Sequence, residues 1–70
     1  MPLTLAPVGR EMKIVKILTD EKTKKHLLSL GVIAEAGITV LSSSGGSTVC
    51  AVKDGRLALD YGVASKIFVA

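Results

Sequence analysis

Residues 26–41 read HLLSLGVIAEAGITVL, and this stretch restricts the fold more than any other part of the chain. An apolar helical repeat ends at a Leu-Gly pair, Leu30–Gly31, and a new run, GITVL, begins almost at once. Glycine just beyond the last helical residue can take the left-handed backbone that closes a helix. Upstream, Thr19 or Asp20 is placed to cap the helix, and Asp20 and Glu21 lie where the helix dipole favours negative charge. Thr23, Leu27 and Leu30 recur at helical spacing, with Lys22, Lys24, Lys25 and Ser29 mostly on other faces. The chain therefore predicts one helix inserted among other elements.

Those other elements read as short strands. Met1 to Gly9 carries both prolines and predicts an extended lead-in with a turn at Pro7–Gly9. In REMKIVKIL, Met12 and Ile14 alternate with Lys13 and Val15. The phase then shifts to Ile17, which predicts a strand with a bulge or sharp coil. Residues 37–42 alternate again, and SSSGGS predicts a flexible loop. STVCAVK and RLALD flank Asp54–Gly55, the strongest short hairpin signal in the chain. Residues 61–65 predict a short connection with room for one helical turn, and KIFVA a last strand. Short strands, tight turns and one helix predict a single mainly β domain spanning residues 1–70, a small closed or partly closed barrel with one inserted α-helix. The expected core is Ile14, Ile17, Leu27, Leu30, Ile38, Val40, Val49, Val52, Leu57, Leu59, Ile67 and Val69.

That core is aliphatic by necessity, because Tyr61 and Phe68 are the only aromatic residues. Their scarcity argues against an aromatic groove for proline-rich peptides and against base stacking on single-stranded nucleic acid. A net charge of +3, from nine basic and six acidic residues, suits a solvated surface and falls short of a nucleic-acid footprint. The lone Cys50 forms no intramolecular disulfide and fits a reducing compartment. No signal peptide is visible, and no apolar run approaches the ~20 residues that span a bilayer. The reading is of a cytoplasmic, soluble protein.

Reactive groups are sparse. His26 is the only histidine and lacks partners at ligand or general-base spacing. It reads as a residue near the helix C-terminus, where positive charge is tolerated. Cys50 sits in an apolar strand without a CxxC or Cys/His partner and reads as a small buried hydrophobe. The acids Glu11, Asp20, Glu21, Glu35, Asp54 and Asp60 form no metal pattern; Asp60 and Glu35 are the least explained. SSSGGS lacks the Gly-Lys-Ser/Thr ending of a phosphate loop and precedes no helix. No catalytic residue, metal ligand or cofactor is expected. A cationic helix and a mobile loop suit binding, so contact with a partner is expected at Lys24, Lys25 and His26 and at Ser43, Ser44, Gly45 and Gly46.

Taken in order, PLTLAPVGREMKIVKI, HLLSLGVIAEAGITVL and DGRLALDYGVASKIFV resemble the ferrous iron transport protein A (FeoA) family nearly end to end. The matching positions are Leu30–Gly31 closing the helix, then Ile38, Val40 and Leu41, and an Ala-x-x-Ile-x-Val ending at Ala64, Ile67 and Val69; Gly37, Asp54 and Gly55 mark its turns. The family often has glycine where this chain has Glu35, preceded by Ala34 and followed by Gly37, and arginine where it has His26. The first departure implies a remodelled turn or an unfavourable backbone at Glu35. The resemblance implies an SH3-like barrel and a non-enzymatic cytoplasmic accessory of ferrous iron uptake that carries no iron itself. Its partner would be a membrane ferrous iron transporter with a cytoplasmic GTP-binding domain (FeoB-type), with no nucleic acid and no membrane insertion. Two other roles are weighed. A regulatory module of an iron-dependent repressor is disfavoured because the chain has its own Met1 and no helix-turn-helix. A nucleic-acid-binding barrel is disfavoured by the lack of aromatics.

Overall fold

A computed structural model describes residues 1–53 and 55–70; Asp54, half of the expected hairpin signal, lies outside the described residues. After a short 3₁₀ turn at Leu3–Leu5 come β1 (Glu11–Ile17), α1 (Glu21–Ser29), β2 (Gly37–Ser44), β3 (Ser47–Val52), β4 (Gly55–Asp60), α2 (Tyr61–Ala64) and β5 (Ile67–Val69). The strands form a five-stranded antiparallel sheet in the order β4-β3-β2-β1-β5.

The sheet curls into an SH3-like barrel at the predicted bulge. β1 pairs with β2 through Glu11–Lys13 and with β5 from Ile14 to Ile17, and its register shifts between Ile14 and Lys16. The extra residue lets Ile14 and Ile17 both point inward and leaves Val15 and Lys16 both outside. A second register shift lies between Val40 and Ser42 in β2. The lead-in covers an edge instead of simply trailing. The Val69 N–H donates to the Met1 carbonyl at 2.7 Å, and Pro2 bridges to Phe68, so the outer side of β5 is not left bare. Ser29 and Leu30 at the end of α1 share a surface depression with Gly55–Leu57, and Asp20 and Thr23 at its start share another with Asp60.

α1 ends as its sequence predicts. Leu30 is the C-cap, Gly31 follows at φ 93°, Gly31 N–H donates to Leu28 C=O at 3.1 Å and Val32 N–H to Leu27 C=O at 2.9 Å. This is a complete Schellman motif, with Leu27 and Val32 buried against the core as its apolar contact. At the other end Asp20 is the N-cap by backbone conformation, though its side chain makes no cap hydrogen bond. The Thr23 hydroxyl beside it holds its carboxyl below the usual value. Asp60, unexplained in sequence, caps α2: its Oδ1 accepts from Val63 N–H at 2.8 Å.

The expected flexible loop is instead a tight hairpin. Ser44 pairs with Ser47 around Gly45 (φ 59°) and Gly46 (φ 80°), the two positive φ angles of a type I′ turn. The turn before β2 is strained, one of the two outcomes the Glu35 departure implies. Ala36 N–H donates to Ile33 C=O at 3.2 Å, and Glu35 occupies the third position at φ 77°. A non-glycine residue there costs of order 1–2 kcal/mol. The exposed ion pair to Lys13 at 3.4 Å returns little. Glu35→Gly is expected to raise stability by about 0.5–1 kcal/mol, part of the relief being lost to glycine's larger unfolded-state entropy. The check is a rise of a few degrees in Tm.

The core holds Ile14, Ile17, Leu27, Ile38, Val40, Leu59, Ile67 and Val69 as expected, with Val52 and Leu57 packed partly against it. Two expected members fall outside. Leu30 is 38% exposed, because the helix ends at Ser29 and the cap residue leaves the inward stripe. Val49 faces outward, since Thr48 (2% exposed) and Cys50 take the inward positions of β3. Leu3, Met12, Val32 and Ala64 complete the core.

Candidate docking surface

The β1 bulge that curls the barrel also builds a groove. It turns Val15 outward next to Lys16, and an exposed Leu18 follows the last strand residue, Ile17. The turn after α1 returns to β1, where Glu35 N–H donates to Ile14 C=O at 2.7 Å and Ile14 N–H to Ala36 C=O at 2.9 Å. Those bonds bring Ile33 and Ala34 beside Val15, and Lys24 of α1 forms a further wall. The groove encloses about 390 Å³ over an apolar floor that includes Ile17 and Val32. Val15 (41% exposed), Leu18 (56%) and Ile33 (40%) leave apolar surface in water around it. Lys16 Nζ sits 5.3 Å from the Phe68 ring centroid, a cation–π contact that steadies one basic rim residue.

The residues expected from sequence are given different neighbours. Lys24 lines the groove. Lys25 and His26 are exposed on α1 outside its lining, and the His26 carbonyl accepts from Ser29 Oγ at 2.6 Å. Ser43, Ser44, Gly45 and Gly46 form the hairpin tip, where Gly46 C=O accepts from Tyr61 N–H at 2.8 Å, beside the start of α2. Of the structural positions, Gly31 and Leu30 close α1, Ala64 is buried, and Gly55 opens β4 opposite Val52. Gly37 lies against the Glu11 side chain across the β1–β2 pair. Val15, Lys16, Leu18 and Ile33 are absent from the expected surface. The phase break at Val15–Lys16 was the available signal, because a bulge places consecutive side chains on one face.

Cys50 is buried, and burial pushes its thiol up to about 11, so it stays protonated at neutral pH. Among the described residues no three His, Cys, Asp or Glu side chains gather as a metal-binding group, and no helix is long and apolar enough to cross a membrane.

The five strands and two short helices define a small SH3-like β-barrel. The FeoA domain family matches residues 1–70, and the chain belongs to that family. This places it in ferrous iron transport. A crystal structure of an iron uptake regulatory protein, FeoA, is 28% identical, with a TM-score of 0.88 over 99% of this chain and 93% of that one. The FeoA protein from Chlorobium tepidum is 20% identical, with a TM-score of 0.91 over 99% of this chain and 68% of that one. A manganese-dependent transcriptional repressor is 19% identical, with a TM-score of 0.90 over all of this chain but 40% of the repressor. The last two likenesses carry the fold alone. No curated protein matches the chain.

Proposed function

We propose that this protein is a non-enzymatic, cytoplasmic accessory factor that regulates ferrous iron uptake. It docks on the cytoplasmic GTP-binding part of a membrane ferrous iron transporter of the FeoB type. Docking biases the transporter's conformation or nucleotide cycle. The observation that carries this reading is an apolar groove left open to solvent on a chain that matches the FeoA family end to end. The solved relative described as an iron uptake regulatory protein supports the regulatory part. The contact surface includes the α1 face with Lys24, Lys25 and His26, and the Ser43–Gly46 hairpin tip is its second element.

An amide NMR titration with the soluble GTP-binding region of a cognate transporter tests it, with Fe²⁺ alone as control. Localised shifts are expected with the protein partner. Strong shifts at His26 or Cys50 with Fe²⁺ alone would overturn the reading in favour of an iron-binding protein. Reversing charge at both Lys24 and Lys25 is expected to weaken docking about tenfold, as loss of long-range attraction at a rim does, while Tm stays within a few degrees. Unchanged affinity would remove that face from the contact.

A further inference from the structure

We infer that the groove at Val15, Leu18 and Ile33 receives a short apolar segment of the partner protein flanked by carboxylates. The inference rests on the docking reading above and specifies the chemistry of its site. Its support lies in the groove's lining, charge and shape. The floor and lips are aliphatic, which selects apolar side chains. The charged residues lining the groove are Lys16 and Lys24, with no carboxylate among its lining residues, so an occupant with acidic flanks meets net attraction there. Glu35, the nearest acid in sequence to that lining, lies outside it and pairs with Lys13 at 3.4 Å. Finally, Lys16 is already steadied over Phe68 and loses less freedom on pairing than a free lysine. A concave site of about 390 Å³ fits the side chains of one segment better than a flat lipid surface.

The test uses the intact chain and a short amidated peptide with central leucines and glutamate at both ends. Its counterpart carries lysine in place of glutamate. Amide shifts at Val15, Leu18 and Ile33 are expected with the acidic peptide, with ~10-fold weaker binding of the basic one and weakening of the acidic one as salt rises. The Lys16→Glu/Lys24→Glu variant is expected to reverse the preference, and its own amide spectrum reports whether the fold is intact. Ile33→Ser is expected to lower affinity for both peptides. Equal binding of the two peptides, shifts centred elsewhere, binding to phosphatidylglycerol vesicles in place of peptide, or occupation of the groove by a second copy of the chain would each overturn the inference. A parallel titration with the transporter's GTP-binding region separates the two readings. Binding there with shifts outside the groove sinks this inference and leaves docking standing. Acidic-peptide binding in the groove without binding of that region leaves the groove chemistry standing and sinks the transporter reading.

Discussion

Cys50→Asp is expected to leave the chain unfolded at 25 °C, while Val49→Thr, one residue away, is expected to fold with Tm shifted by no more than a few degrees. Cys50 is fully buried between the sheet and the core, and its site already disfavours charge strongly enough to push a thiol up to about 11. An aspartate there either ionises without a partner or holds its proton at a cost of several kcal/mol. A domain of this length has a total stability of ~3–5 kcal/mol, so the substitution consumes most or all of it. Val49 points the other way and belongs to no part of the buried cluster, so exchanging it for another β-branched residue keeps strand propensity and disturbs little. Amide dispersion and far-UV circular dichroism check both variants. A native spectrum for Cys50→Asp would refute the inward phase of β3.

That phase is where sequence reading went astray, for a physical reason. In STVCAV, Val49 is more apolar than its neighbour Thr48 and suggests an inward position, although strand alternation puts it on the face opposite Val52. The barrel turns Thr48 inward beside Cys50, whose burial the sequence indicates, as the methyl of a threonine and a small cysteine suit a crowded interior. Register decides it: Val40 pairs with Cys50, and the bulge in β2 falls directly after that pair. Hydrophobicity along one strand does not report a bulge in its neighbour. Leu30 is a similar case, three residues past Leu27 but beyond the end of the helix. The bulge in β1, the Gly31 stop and the short turn of α2 were readable because each depends on residues close together in the chain. The groove was not, because Ile33 and Ala34 meet Val15 through backbone bonds to Ile14 made across α1.

The bulge therefore has two consequences. Ile14 and Ile17 both face the core as β1 passes from β2 to β5, and the two residues between them, Val15 and Lys16, both turn out. An exposed Val15 follows from barrel closure, and nothing in folding requires that position to be apolar. A polar residue there would satisfy the same backbone. Val15, Leu18 and Ile33 instead surround one depression, and the docking proposed above gives that apolar surface a role. The hairpin tip has no such apolar content, so its part in docking rests on its position and not on its surface chemistry.

Gly31→Val is expected to destabilise the fold by about 2–3 kcal/mol, a loss of roughly 10–20 °C in Tm for a domain of this size. Gly31 sits at φ 93°, where a β-branched residue meets its own backbone. The cap cannot relax away cheaply. Gly31 N–H and Val32 N–H satisfy the last carbonyls of α1, and Val32 and Leu27 are both buried, so unwinding the cap would pull on the core. Space is not the main obstacle: a Cβ built at Gly31 would lie 3.7 Å from Val52 Cγ2, an ordinary contact. Gly31→Ala should therefore recover part of the loss, costing about 1–2 kcal/mol, with Val worse because its branched side chain adds crowding to backbone strain. Thermal unfolding of the two variants separates these contributions. Equal losses would mean that backbone strain alone sets the effect. A wild-type Tm for Gly31→Val would mean that the left-handed cap does not hold α1 in place. It would then also not be what directs the chain back to β1 to form the groove.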